Sequence, residues 1–158
     1  VNGYTEKALD WLRDYIEWAA REVGGQCESP IEDGLLRCFI AMRLADRRFR
    51  VDGLRSGPIL TDWEAVIYPQ HRVAGYRLDF AVKVENGTNV SWIAVECDGH
   101  DFHERTKEQA ARDKARDRFL TTAGFRILRF TGSEIYANPM GCALQVSELA
   151  AKIVEGWE

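Results

Sequence analysis

Apolar residues recur at two different periods along this chain of 158 residues, and the change of period separates helical from extended stretches. Near the start, Leu9, Leu12, Ile16, Ala19 and Ala20 lie at helical spacing, and Trp11, Tyr15 and Trp18 add an aromatic stripe. The pattern predicts a first helix capped by Thr5, running to about Val23 and ended by Gly24-Gly25, with the stripe read as core. Ser29-Pro30-Ile31-Glu32 predicts the start of a second helix: serine caps, proline takes the first helical position, and glutamate follows three residues after the cap. Leu35, Leu36, Phe39, Ile40 and Leu44 carry its apolar face to about Ala45. From Asp46 to Thr61, Gly53, Gly57 and Pro58 break any period, so the segment reads as a basic loop.

The period then falls to two. Strands are expected over Trp63 to Tyr68, Tyr76 to Glu85 and Val90 to Asp98. In the second, Leu78, Phe80, Val82 and Val84 alternate with Arg77, Asp79, Ala81 and Lys83. Asn86-Gly87 between the last two strands is a strong hairpin signal. A long helix follows from about Glu104 to Ala123, stopped by Gly124, and Phe125 to Phe130 reads as a buried strand. Gly132-Ser133 and Asn138-Pro139 each suggest a helix start, with a last helix to about Trp157. The order α-α-β-β-β-α-β-α, without repeats or a linker, describes one domain over residues 1–158. An N-terminal helix (about 5–23) packs on a core (about 29–157), and a central mixed sheet covered by helices on both faces is the economical α/β arrangement.

Composition narrows the class. Hydrophobic residues make up 46% and charged residues 29%, a soluble globular balance rather than a disordered one. No apolar run approaches the roughly 20 residues of a membrane helix, and Val1 to Val23 lacks the layout of a signal peptide. The chain begins at Val1 rather than Met, as a trimmed terminus or a piece of a longer protein would. Cys27, Cys38, Cys97 and Cys142 are scattered without a CxxC pair, which argues against a zinc knuckle. They are read as reduced thiols of a cytoplasmic protein. The net charge of −4 counts mildly against nucleic-acid binding, but charge can be local. Arg43, Arg47, Arg48, Arg50 and Arg55 form one basic cluster; Arg105, Lys107, Arg112, Lys114, Arg116 and Arg118 form another. On charge alone both read as solvated faces, since acids interleave in the second.

The hairpin carries the candidate chemistry. With Asn86-Gly87 alone as the loop, Asp79 faces Ala94 and Glu96 is its diagonal neighbour. With a four-residue loop, Asp79 stands directly opposite Glu96. Either way both carboxylates share a face, about 4.5–5.5 Å apart at Cβ if opposite and about 7–8 Å if diagonal. The other face collects Leu78, Phe80, Val82, Ile93, Val95 and Cys97 as core. Paired acids repel, and a bound divalent cation relieves the repulsion. Ala81 and Ala94 leave room above them, and hard oxygen ligands suit Mg²⁺. From the hairpin alone, ordinary surface acids, with Arg77 paired to Glu96, explain the pattern about as well. The balance tips with Ala94-Val95-Glu96-Cys97-Asp98-Gly99-His100-Asp101-Phe102-His103, which crowds acids and histidines just past a strand end, where α/β sites usually sit.

Arg77-Leu78-Asp79-Phe80-Ala81-Val82, Val95-Glu96-Cys97-Asp98-Gly99, His103, Asp113, Arg116 and Gly124 to Phe130 together resemble the Vsr-like branch of the PD-(D/E)XK nuclease superfamily. That branch contains very-short-patch repair endonucleases and bacterial endonuclease-like domains. The resemblance covers roughly residues 29 to 135. It implies a three-layer αβα restriction-endonuclease-like fold and hydrolysis of DNA phosphodiester bonds with Mg²⁺, Mn²⁺ being the alternative. Asp79 matches the first metal-binding aspartate, Glu96 the acid of the (D/E)XK element, and Glu32 an acid on the early helix that completes such sites. The carbonyl of Cys97 would be a further metal ligand, and His103 matches the histidine after the strand.

Asp98 stands where the superfamily has lysine. Lys83 lies about 13 Å along the strand from Asp79 at ~3.3 Å per residue, too far to substitute. His103 or Lys107 would then orient or activate water, with Asp98 holding His103 or a second cation. Glu32 is also the glutamate of a capping box, and one side chain can hardly serve both roles at once. Arg105, Gln109, Arg112 and Arg116 make one stripe on the long helix, read as a phosphate-contacting edge or as a solvated face. Rival functions are a nucleic-acid-binding module with a degenerate site, a nuclease acting on RNA, or an interaction domain using the Trp11-Tyr15-Trp18 stripe. The sequence leaves open whether the domain nicks as a monomer or cuts both strands as a homodimer.

Overall fold

Glu85 pairs with Val90 and Phe80 with Val95, so the hairpin takes the four-residue loop Asn86 to Asn89. The Asn86 carboxylamide oxygen accepts from the backbone N–H groups of Thr88 and Asn89 at 3.2 and 2.8 Å, and Gly87 takes a φ of +82°. Such a side-chain-closed turn needs both residue types. The computed structural model describes residues 3–24, 27–57, 61–99 and 106–157.

In chain order the elements are α1 (Gly3–Gly24), α2 (Pro30–Ala45), β1 (Phe49–Val51), β2 (Glu64–Pro69), β3 (Arg72–Val73) and β4 (Tyr76–Arg77). They continue with β5 (Phe80–Glu85), β6 (Val90–Asp98), α3 (Lys107–Thr122), β7 (Phe125–Thr131), α4 (Gly132–Ala137) and α5 (Pro139–Glu155). Five strands form a mixed sheet in the order β1-β2-β5-β6-β7. The outer pairs are parallel and the inner pairs antiparallel. Helices flank both sides, so the fold is the expected α/β architecture of restriction-endonuclease-like type.

On one side, Leu35, Leu36, Phe39 and Ile40 of α2 and Ala143, Val146, Ala150 and Ile153 of α5 pack against Phe80, Val82, Val84, Ile93 and Val95. On the other, Leu120 of α3 meets Leu78, Ala81 and Ala94 in a small second cluster. Ser29 caps α2 and Asn138 caps α5, each followed by proline.

Several expectations change. β1 arises inside the segment read as loop: three residues are too few to show a period, yet parallel pairing with β2 holds them. Helix α1 begins at Gly3, so Thr5 lies inside it rather than at its cap. Helix α3 begins at Lys107, with Thr106 as cap, rather than at Glu104. Trp11 and Trp18 are 63% and 52% exposed, so of the aromatic stripe only Tyr15 packs on the core. The expected strand from Tyr76 is interrupted at Leu78-Asp79, and Leu78 packs toward α3 instead of joining Phe80 and Val82.

Candidate active site

That interruption builds the site. The register of β2 with β5 reappears in β3 with β4, where Arg72 pairs Arg77 and Val73 pairs Tyr76. The two ladders are therefore one long hairpin broken in the middle. Gln70 sits at the break with a φ of +51°, a left-handed value uncommon outside glycine. Its N–H still donates to the carbonyl of Asp79 at 2.8 Å, and Leu78 N–H to that of His71 at 2.8 Å.

One step beyond the Phe80–Val95 pair, the register sets Asp79 opposite Glu96. The next N–H of β6, that of Cys97, lacks a regular backbone partner across the break. The Asp79 carboxylate accepts it instead at 2.7 Å. In an extended strand the N–H and C=O of one residue point to the same side. The Cys97 carbonyl therefore faces the Asp79 side too, as a metal ligand there would. Glu96 in turn aligns with Arg129 on β7, so Gln70, Asp79, Glu96 and Arg129 occupy one level across four strands.

Burial sets the electrostatics. Glu96 is 3% exposed. Desolvation lifts its pKa to about 7, against the pull of Arg116 and with a further push from Asp79. The half-buried Asp79 is also raised, first by burial; its bond from Cys97 opposes the rise and Glu32 adds to it. The neighbouring Cys27 and Cys97 thiols are pushed up first by burial and then by nearby acids, with Glu32 and Asp79 acting on both. All four cysteines are free thiols, and neither of these two has the environment of a thiolate nucleophile.

The other candidates separate by what they touch. Glu32 is committed to its helix start: it accepts from Glu28 N–H at 2.9 Å, Ser29 Oγ at 2.7 Å and the Gln70 amide nitrogen at 2.7 Å. It braces the helix start through the Glu28 N–H and the Ser29 hydroxyl rather than through the Ser29 N–H of the expected capping box, and its field still reaches Asp79. Asp98 pairs with Arg129 at 3.4 Å, and Arg129 also binds Asp117 of α3. Arg116 donates to Glu96 and to the carbonyl of Arg77 at 2.9 Å, leaving its buried Nε without a partner among the described residues.

Arg77 pairs with Glu28 rather than Glu96. Gln109 closes a capping box with Thr106, while Arg112 is exposed. Lys83 pairs with Glu85 at 2.6 Å. Arg43, Arg48 and Arg50 of the first basic cluster are occupied by Tyr15, Asp46 and Glu64. His103 and Arg105 lie outside the described residues. Gln70 and Arg129 went unremarked as site residues, and only their level with Asp79 and Glu96 across the sheet flags them.

Among the described residues, no group of three or more His, Cys, Asp or Glu side chains stands ready-formed for a metal. The donor chemistry nevertheless fits a hard cation. Glu96 is a buried acid and Asp79 a half-buried one, and burial disfavours the charged form of each. The second oxygen of each makes no hydrogen bond to a described residue, and the buried Gln70 Oε1 likewise lacks a partner. Glu96 is meanwhile held by Arg116.

A family model, REase_MTES_1575, matches residues 58–150, more than half of the chain. No curated protein and no solved structure matches it.

Proposed function

The chain belongs to the restriction-endonuclease-like family REase_MTES_1575, and from that premise we propose that it is a metal-dependent endonuclease hydrolysing DNA phosphodiester bonds. The observation that carries the reading is the pairing of the half-buried Asp79 with the buried Glu96 at a kinked strand end, with Arg116 already directed at Glu96. Asp79, Glu96 and the Cys97 carbonyl would hold Mg²⁺, or Mn²⁺ in its place. Bound there, such a cation supplies a water of lowered pKa and stabilises charge on phosphate.

The chain's own residues do the rest. Asp79 is oriented by Cys97 N–H. Arg116 balances Glu96 until a phosphate offers it a second anion. Arg129 neutralises Asp98 at the position where the superfamily has lysine. His103 would orient or deprotonate the attacking water. Arg105 and Arg112 would extend the phosphate contacts along the start of α3. The finer kinship with the Vsr-like branch rests on the Asp79, Glu96 and His103 pattern.

A second reading has its own observation. The Arg116–Glu96 pair and the Arg129–Asp98 pair already balance the acids with built-in cations, as a nucleic-acid-binding module with a degenerate nuclease site would. Incubating the purified protein with supercoiled plasmid, with and without Mg²⁺ or Mn²⁺, separates the two. Metal-dependent nicking or linearisation is the expected result, and the pattern of products distinguishes single-strand nicks from the double cuts of a homodimer. DNA binding without cleavage under every condition would overturn the enzyme reading. A parallel incubation with structured RNA tests the substrate class.

A further inference from the structure

Gln70 directly follows β2 in a left-handed conformation, beside Asp79 and on the same level as Glu96. A non-glycine residue adopts that φ at a cost, and such outliers persist where the surroundings hold them in place. Two bonds do so here: the backbone bond to Asp79 and the side-chain bond to Glu32 at 2.7 Å.

The second bond also fixes which way the amide faces. Glu32 accepts from Glu28, Ser29 and Gln70, as a carboxylate does, so the Gln70 group facing it is the NH₂ and not the oxygen. The oxygen is thereby turned to the opposite side of the amide. Gln70 is 7% exposed, and its buried Oε1 has no hydrogen-bond partner among the described residues. A buried amide oxygen left without a donor loses roughly 1–3 kcal/mol. No donor among the described residues offsets that cost.

We propose that Gln70 belongs to the metal site, its amide oxygen taking a coordinated water, or the cation itself, beside Asp79. Magnesium keeps several of its waters when protein-bound, and each water donates two hydrogen bonds that need acceptors. A neutral oxygen can serve that place without adding a further negative charge to the metal-free protein, where Glu32 already opposes the charge on Asp79, and Asp79 that on Glu96. The chain Glu28–Ser29–Glu32–Gln70 then runs from the start of α2 to the cation, so the helix cap orients an outer ligand. Glu32, matched by resemblance to a residue that completes the site, acts through Gln70.

The inference rests on the metal-binding reading above, and the test keeps their failures apart. Mn²⁺ is titrated into the full chain by calorimetry, with binding also followed by the electron-spin resonance of free Mn²⁺. Wild type, Asp79→Ala, Gln70→Met and Gln70→Glu are compared, each with its melting curve. Gln70→Met keeps the side-chain length and removes both polar atoms. Gln70→Glu keeps an oxygen and removes the donor to Glu32.

The expected result is Mn²⁺ binding by wild type, its loss in Asp79→Ala, and an affinity lower by about 10-fold or more in Gln70→Met. Gln70→Glu should bind as well as wild type or better, even if its melt is lower. Binding by Gln70→Met equal to wild type overturns the role of Gln70 while leaving the metal site standing. Equal weakening in Gln70→Met and Gln70→Glu overturns it too, by assigning the effect to the clamp on Glu32. No binding by wild type, or unchanged binding by Asp79→Ala, overturns the metal reading itself.

Discussion

The face of the sheet under α2 and α5 is apolar from strand to strand, whereas the face under α3 is apolar only around Leu78, Ala81, Ala94 and Leu120. The first gathers two dozen buried residues from α1, α2, α4, α5 and five strands. The second is closed by a helix with one buried residue, and its borders are charged: Arg116 on Glu96, Arg129 on Asp98 and Asp117. Burying apolar area stabilises by roughly 25 cal/mol per Å², so the first face supplies most of the folding free energy. The second can then tolerate buried acids that cost stability. Stability and chemistry are divided between the two sides of one sheet, and the kink at Gln70 and Leu78-Asp79 lies where they meet.

That division is most directly broken by exchanging the effects of one residue from each side. Asp79→Ala should abolish metal-dependent plasmid cleavage and leave a cooperative melt at or above the wild-type temperature, because it removes an acid raised by burial. Phe80, its neighbour in sequence, is fully buried on the first face. Phe80→Ala should cost about 3–5 kcal/mol of stability, read by denaturant unfolding, with cleavage per folded molecule little changed. A cooperative melt lost in Asp79→Ala would make that residue structural and undo the contrast.

Arg116 sharpens it. If the arginine serves phosphate as well as Glu96, Arg116→Gln should lower the cleavage rate by about 10²–10³-fold, as loss of one oriented donor to developing charge does. Cation affinity should rise or stay level, since a competitor for Glu96 has gone. Weaker Mn²⁺ binding in Arg116→Gln would instead mean that the arginine shapes the acid pair rather than competing for it.

The pH dependence of the metal-free protein follows from the same burial. Glu96 has a folded pKa of about 7 against the ordinary carboxylate value of 4.5. The unfolded chain therefore releases this proton first. The stabilising contribution is complete below about pH 4.5 and is lost as pH rises through about 7. Asp79 shifts in the same direction. In chelator, the melting temperature should fall across that window, and Glu96→Gln should flatten the fall. A melting temperature that rises across it would show that Arg116, not desolvation, dominates at Glu96.

Much of this was legible in the sequence, for reasons that differ by residue. The hairpin was, because the even loop and the strict alternation leave Asp79 and Glu96 few ways to part. The start of α2 was, because Ser29, Pro30 and Glu32 are local signals. Gln70 was not: a single glutamine after Tyr68-Pro69 has no local meaning until its partner across the sheet is known. Arg129 hid inside a strand pattern for the same reason. The exposure of Trp11 and Trp18 was misjudged because helical spacing gives a stripe but not which side of the helix faces the core. Glu32 could be narrowed to two roles, and the choice between them came only from the three donors around it.

The smallest effect tests the edge of the second face. Because α3 buries so little, its start is held by a local device: Thr106 Oγ1 accepts from Gln109 N–H at 3.2 Å, and the Gln109 amide oxygen accepts from Thr106 N–H at 2.8 Å. Gln109 was a candidate phosphate contact, and the capping bond turns its oxygen back to the helix start instead. Thr106→Ala removes one half of the box and should cost about 1 kcal/mol, a melting shift of roughly 2–4 °C for a chain of this size. Gln109→Ala removes the other half and should do about the same or less. Neither should change DNA affinity or its salt dependence, whereas Arg112→Ala, exposed on the same helix, should lower both if the phosphate edge is real. An unchanged melt with weakened DNA binding in Gln109→Ala would return that residue to the phosphate edge, and would mean that the cap opens when nucleic acid arrives.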